Sequence, residues 1–212
     1  MKALILKDFY TIGNFKKMYI ILFAAAAAAV IFVPSFTSFI PAFLILYSCS
    51  SVMSVFSYDD FCNWNRFAAC LPVKRSGIVL ARYLFSALYL LAVALVCFLI
   101  SFAGCFFHGL LGEIPSIGLS TLILAGISIW VLSACYPIIY FLGYQKGRVA
   151  MVVLLAALFS IVITVAKVAK IQLASISLSQ VVVAIVIFLL LAFAAFAGSF
   201  FFSRRIYEAK DF

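Results

Sequence analysis

The stretch Met18–Phe56, MYIILFAAAAAAVIFVPSFTSFIPAFLILYSCSSVMSVF, contains no Asp, Glu, Lys or Arg and decides the class of fold. As one α-helix it would be roughly 58 Å long, which is about twice the hydrocarbon thickness of a bilayer. Pro34 and Pro41, with the small polar residues between them, interrupt the run near its middle. The pattern therefore predicts two membrane spans, 18–33 and 37–56, joined by a tight turn.

The chain as a whole is also strongly apolar. Hydrophobic residues make up 68% of the 212 positions and charged residues 10%, whereas a soluble domain has about 45–50% and about 25%. We therefore expect an all-α, polytopic membrane protein with six transmembrane helices, folded as one domain over 1–212. Four further uncharged runs predict spans three to six within 83–202, at 83–107, 117–142, 149–166 and 180–202.

The basic residues predict how the spans are oriented. The net charge is +9, from 15 Lys and Arg against 6 Asp and Glu. All the basic residues except Lys167 and Lys170 fall in the N-terminal tail, the 57–82 loop, the 143–148 loop or the 203–212 tail. In membrane proteins, the short loops on the cytoplasmic side carry an excess of Lys and Arg. We therefore expect both termini in the cytoplasm. Because this basic excess flanks apolar runs, we expect no nucleic acid as a partner.

The first residues, 1–15, have the pattern of an amphipathic helix. One side carries the apolar residues Ile5, Leu6, Phe9, Tyr10 and Ile12, and the other carries Lys7, Thr11 and Asn14. Such a helix lies flat in the headgroup region of a bilayer. The alternative is a helical extension of the first span, although Gly13 and Lys16-Lys17 favour a break. The apolar run continues directly into a second span, so we expect no cleavable signal peptide.

Several kinds of chemistry are absent from the predicted spans. The acidic residues all fall in tails or loops, at Asp8, Asp59, Asp60, Glu113, Glu208 and Asp211. Ion-coupled transporters usually carry an ionisable group within the membrane, and intramembrane proteases need a catalytic pair there. The chain also lacks a GxxxxGK[ST] phosphate-binding loop, and its six cysteines lack metal-ligand spacing. We therefore expect no enzymatic activity, metal or cofactor, and any transport energy would come from a partner.

The 57–82 loop carries the most informative pattern. Ser57–Asp60 has the Ser-x-x-acid form of a helix start and Pro72 stops what precedes it, which predicts a helix over 58–71. An apolar stripe is formed by Phe61, Trp64, Ala68 and Leu71, opposite Asp59, Asn63 and Arg66. A two-faced helix of this kind presses its aromatic residues into a partner's groove or rests on its own bilayer. The pattern does not separate these two alternatives.

The run Tyr58–Tyr83, YDDFCNWNRFAACLPVKRSGIVLARY, resembles the permease subunits of ABC-2-type exporters. That family carries an acidic, aromatic helix, then Leu-Pro-Val/Ile with basic residues, then a basic-Tyr-Leu start to span three. The matching residues are Leu71, Pro72, Val73, Arg75, Arg82, Tyr83 and Leu84. The tails LILKD (4–8) and SRRIYEAKDF (203–212) are also similar to those of the family, and Asp59 and Asp60 stand where members often have Glu.

The resemblance implies a coupling helix and two partners. In the family, two permease copies, as a homodimer or related heterodimer, pair with two copies of a separate ABC ATPase, and the helix between spans two and three docks on the ATPase. Carried over, the docking residues are Tyr58, Asp59, Asp60, Phe61, Trp64, Asn65, Arg66, Leu71 and Pro72.

The resemblance also implies a location and a class of cargo. In length the chain resembles small Firmicutes-type permeases of the bacterial plasma membrane, which include exporters of amphipathic toxic peptides such as phenol-soluble modulins. Spans without fixed charge favour an amphipathic or hydrophobic cargo, because a charged one would lose its hydration without a compensating partner. Lipids and hydrophobic drugs satisfy the same physics, so the expectation of a peptide rests on the resemblance. A non-transporting membrane scaffold or immunity subunit is the alternative of a different class.

Overall fold

The computed structural model describes residues 2–13, 16–33, 36–70, 72–149, 152–153 and 178–209. These residues are almost entirely helical, and no strand occurs among them. The helices are α1 (Lys2–Gly13), α2 (Lys16–Phe32), α3 (Phe36–Phe61), α4 (Trp64–Ala69), α5 (Arg75–His108), α6 (Ile114–Leu142), α7 (144–149) and α8 (Leu178–Glu208), with a 3₁₀ turn at Leu111–Glu113. The all-α fold class predicted from the apolar runs is therefore confirmed.

Three helices in the described part of the chain are long and apolar enough to cross a membrane, within Arg75–His108, Ile114–Leu142 and Val182–Glu208. The predicted spans one and two overlap α2 and α3, and these helices are separated by a break between Phe32 and Phe36. Pro41, however, lies inside α3 rather than in the break. Most of the predicted span five, 149–166, lies outside the described residues.

The helix α1 occupies most of the predicted 1–15 segment and is separated from α2 by a bend of 67°. This angle favours a break over the straight extension of span one. One side of α1 packs on α3 and α5, where Ile12 contacts Val55 and Phe85. Phe9 meets the Phe85 ring edge to face, with 4.9 Å between the ring centroids. The predicted apolar side is thus divided, because Leu6 and Tyr10 are exposed.

The interval 57–82, predicted as a loop, contains the end of α3, the short helix α4 and the beginning of α5. The helix α3 continues to Phe61, and α5 begins at Arg75, before the predicted start of span three at residue 83. The prediction assumed that charged residues mark the ends of the helices. Instead Asp59 and Arg82 pair with each other, which allows both helices to continue beyond the apolar runs.

The main core lies where α3, α5, α6 and α8 meet near this same end of the bundle. Tyr83 and Tyr136 pack at a centroid distance of 4.6 Å, and Phe56 and Tyr207 belong to the same cluster. The Tyr83 hydroxyl forms hydrogen bonds of 2.7 and 2.8 Å with Ser199 and Ser203 of α8. This core fixes α5 relative to α8 directly beside the segment that connects α3 with α5.

The contact between α2 and α5 depends on a residue without a side chain. Gly104 of α5 faces Val30 of α2, and a Cβ at this position would overlap the Val30 side chain. Val30 is fully buried and β-branched, so its side chain has little freedom to rotate away. The two helices therefore approach as closely as glycine allows.

Candidate functional site

The segment between α3 and α5 contains a sharp turn followed by the short helix α4. Asn63 adopts a left-handed conformation, with φ 51° and ψ 35°, which asparagine tolerates better than most residues. The backbone N–H of Cys62 still donates to the Tyr58 carbonyl at 2.9 Å, which completes the last turn of α3. The single helix predicted over 58–71 is therefore wrong, and Ser57 lies inside α3 rather than at a helix start.

The turn separates the residues of the predicted apolar stripe. Phe61 is 86% exposed and Phe67 is 58% exposed, so both rings face outward. Ala68 is buried in the main core, and Trp64 packs partly against that core. The prediction that Phe61, Trp64 and Ala68 share one face is therefore wrong.

The remaining predicted docking residues are divided between surface and interior. Asp60, Arg66 and Pro72 are exposed, and Tyr58 is half-buried. Leu71 and the side chain of Asn65 lie outside the described residues. The exposed surface of this segment, formed by Asp60, Phe61, Arg66, Phe67 and Pro72, is called the docking surface below.

A cluster of four charged side chains, three of them buried, lies directly beneath the docking surface. Arg82 of α5 pairs through Nε with Asp8 of α1 at 2.9 Å and through Nη2 with Asp59 of α3. Lys7 bonds the other Asp59 oxygen at 2.5 Å and lies 3.3 Å from Asp8. The two carboxylates and the guanidinium are buried. This charged cluster contains two cations and two anions, so it joins three helices without a net charge.

The expectation that Asp59 lies on the exposed side of a docking helix is therefore wrong. Its carboxylate is oriented inward because the cations Lys7 and Arg82 lie there and because α3 continues past it without a break. Burial raises the pKa of the Asp8 carboxyl above its usual value, while the neighbouring Arg82 and Lys7 act in the opposite direction. A carboxylate held in such a place depends on its cations, because burying an unpaired charge costs several kcal/mol or more.

Aromatic rings connect the charged cluster to the docking surface and to the core. The Lys7 ammonium lies 4.0 Å from the centre of the Trp64 ring, and the Arg82 guanidinium lies 4.6 Å from the centre of the Phe56 ring. Trp64 in turn packs against the exposed Phe67, with 5.4 Å between the ring centroids. A continuous chain of contacts therefore runs from the surface of α4 to α1 and α5.

A small cavity of about 90 Å³ adjoins the charged cluster and extends toward the other helices. Asp60 and Trp64 line it on the side of the docking surface, and Tyr140, Tyr144 and Tyr207 line it from α6, α7 and α8. The cavity is too small for a transported molecule, since ligand pockets typically measure about 300–1,000 Å³. The cavity does bring Asp60 of the docking surface next to the junction of α6 and α7 at Gly143.

The sequence residues 3–208 match the family described as ABC-2 family transporter protein. The chain belongs to this family. Accordingly it is a multi-pass membrane protein and a permease subunit of an ABC transporter, which confirms the resemblance noted in the sequence. For this ABC-2 permease the family implies an ABC ATPase as partner and, typically, a dimer of permeases. No curated protein and no solved structure matches the chain.

The partners of Asp59 in this ABC-2 permease were not identified from the sequence. The sequence pattern places Lys7 and Asp8 on a helix at the bilayer surface, and Arg82 enters only as part of the family motif. The sequence does contain one indication of this pairing. Each of α1, α3 and α5 carries an ionisable residue near the same predicted face of the bilayer, at the end of an apolar run. Isolated charges at such positions are expected to pair with one another.

Proposed function

We propose that this permease exports an amphipathic or hydrophobic substrate and that this substrate is a peptide. The energy comes from a separate ABC ATPase. In this proposal the chain crosses the bacterial plasma membrane six times, with both termini in the cytoplasm, and works with a second permease copy as a homodimer or related heterodimer. ATP binding and hydrolysis belong to the partner, because the sequence has no phosphate-binding loop.

The observation that carries the proposal is the arrangement of the docking surface over the charged cluster. Exposed aromatic residues such as Phe61 and Phe67 are the type of side chain that supplies most of the energy of a protein interface. An ATPase groove that receives them would bury apolar surface that is exposed in the permease alone. The aromatic residues lie on a segment that links two long helices, so a docked ATPase would act on both.

The charged cluster supports a way to transmit ATPase motion to the spans. A displacement of the end of α3 carries Asp59 with it, and Asp59 is bonded to Lys7 of α1 and Arg82 of α5. Separating these groups would leave buried charges without partners, at a cost of about 3–5 kcal/mol. Moving α1 and α5 together with α3 avoids that cost. We therefore infer that the three helices move as one body when the ATPase closes.

The exposed surfaces of the long helices favour the proposal of an apolar or amphipathic substrate. Many large apolar side chains on α5 and α8 are exposed, among them Leu91, Phe106, Leu190 and Phe202. In the membrane such side chains meet acyl chains, neighbouring helices or an apolar cargo, and they offer no compensation to a hydrophilic ion. An amphipathic peptide keeps its apolar face against such walls while its polar face contacts hydroxyl groups or water.

The direct test is ATP-dependent uptake into inside-out vesicles that contain the permease and its ATPase. The expected result is uptake of amphipathic peptides that stops when ATP is replaced by a non-hydrolysable analogue. Uptake of a compact polar solute, without a response to amphipathic peptides or hydrophobic drugs, would contradict the proposed cargo. A stable complex that transports no substrate would favour the scaffold alternative.

A further inference from the structure

Among the described residues, a second and larger cavity opens between α3, α6, α7 and Val152. It has a volume of about 670 Å³, and in this part of the chain it forms a groove along α3. Its lining runs from Leu46 to Tyr58, which corresponds to roughly 18 Å along the helix axis. Both dimensions suit a ligand rather than a few waters, since ligand pockets typically measure about 300–1,000 Å³.

The groove has an apolar side and a hydroxyl side. The apolar wall is formed by Leu46, Met53 and Val131. A line of hydroxyl groups on one side of α3 is formed by Ser50, Ser54 and Ser57. The Ser54 hydroxyl donates to the Ser50 carbonyl at 3.3 Å, so its oxygen remains able to accept a hydrogen bond. The lining thus matches a molecule with apolar and polar sides. A plain acyl chain would leave the hydroxyl line facing only methylene groups.

The charge of the groove is concentrated at one end. Arg148 of α7 is exposed and lines the groove beside Ser57, Tyr58 and Tyr144, at the end of α3 that leads into the docking surface. Within the described ranges no Asp or Glu lines the groove, and no ion pair involves Arg148. A single cation at one end complements a carboxylate at one end of the bound molecule.

We propose that this groove binds the cargo, and that Arg148 selects amphipathic peptides that end in a carboxylate. The inference rests on the proposed export of amphipathic peptides and adds a site and a charge requirement to it. The peptide lies along α3 with its apolar side on Leu46 and Met53 and its polar side on the serine line. Its terminal carboxylate accepts hydrogen bonds from the Arg148 guanidinium at the cytoplasmic end of the groove.

The test compares two synthetic peptides of one amphipathic sequence, with a free carboxylate or an amide at the C-terminus. Their affinities are measured for the full-length permease, co-purified with its ATPase, in nanodiscs of zwitterionic lipid. We expect the carboxylate peptide to bind about fivefold more tightly, as suits a partly exposed ion pair. Arg148→Gln should remove this preference, and Lys146→Gln should retain it. Lys146 is the matched control, because it is an exposed cation on α7 that does not line the groove.

A second variant tests the position of the groove independently of charge. Ser54→Leu places a larger side chain in the middle of the hydroxyl line and should weaken the binding of both peptides. Equal affinity of the two peptides for the unmodified permease, or an unchanged preference in Arg148→Gln, would overturn the proposal. Displacement of both peptides by a fatty acid, with no effect of the peptide terminus, would also overturn it and assign the groove to a lipid.

Vesicle uptake separates this inference from the proposed function. If ATP-dependent peptide uptake continues without a carboxylate preference, only the assignment of Arg148 and the groove is wrong. If neither uptake nor binding of any amphipathic peptide is detected, the proposed peptide export is wrong as well.

Discussion

Replacing Arg82 by glutamine should destabilise the permease more than any other single change of charge. Its guanidinium is buried and contacts the carboxylates of both Asp8 and Asp59. Without it, two buried carboxylates share the single ammonium of Lys7, and the charged cluster changes from neutral to a net charge of −1. Breaking a buried ion pair in this way costs about 3–5 kcal/mol.

The expected loss is large enough to measure by thermal unfolding. For a chain of this size each kcal/mol corresponds to a shift in Tm of about 2–4 °C, so Arg82→Gln should lower Tm by roughly 6–20 °C. The purified permease is heated in lipid nanodiscs, and the fraction that remains folded and monodisperse is followed. Arg204→Gln is the matched control, since Arg204 forms only an exposed ion pair with Glu208. Its cost should stay below about 1 kcal/mol.

A second substitution distinguishes loss of a charge pair from loss of packing. Asp59→Asn should also lower Tm, because Arg82 and Lys7 then share only Asp8. The double variant Asp59→Asn/Arg82→Gln leaves Lys7 with Asp8, a neutral pair. Its loss should therefore be smaller than the sum of the single losses by about 1–3 kcal/mol. Additive losses, or a Tm shift for Arg82→Gln no larger than for Arg204→Gln, would refute the assignment of a buried charged cluster.

Three further predictions concern the partner, the packing and the absence of hydrolysis. Phe61→Ala and Phe67→Ala should each weaken the binding of the ATPase by about 2 kcal/mol, as measured by co-purification. Phe201→Ala should not weaken it, although it removes a ring on α8 whose exposure lies between those of Phe61 and Phe67. Gly104→Ala should lower stability by about 1–3 kcal/mol because its Cβ overlaps Val30, and Gly198→Ala, which meets nothing within 4 Å, should not lower it. Purified permease shown by mass spectrometry to contain no second chain should not hydrolyse ATP.

The elements that the sequence predicts well are those set by local composition. A run without charge, such as that of α6, has to be a helix within a bilayer, because only a helix satisfies its own backbone hydrogen bonds there. The break between Phe32 and Phe36 falls in a stretch where the sequence has a proline, and proline is a residue that disfavours a continuous helix because it lacks a backbone N–H.

The features that the sequence did not predict depend on contacts between distant residues. From the sequence alone, Asp59 is expected to be an exposed charge. In the fold it is paired with Lys7 and Arg82, which lie far from it in the chain. The Ser-x-x-acid spacing predicts the start of a new helix at Ser57. The structure differs because α3 continues through this position and because Asn63 provides the turn instead.

The central claim is that the segment between α3 and α5 docks on the ATPase, and site-specific crosslinking tests it most directly. A photoreactive amino acid is placed at Phe61 or, as a control, at Phe107, which is also exposed and lies at the other end of α5. Illumination of the intact complex should yield a covalent adduct with the ATPase from position 61 and none from position 107. An adduct from position 107, or none from position 61 in a complex that remains assembled, would contradict the claim.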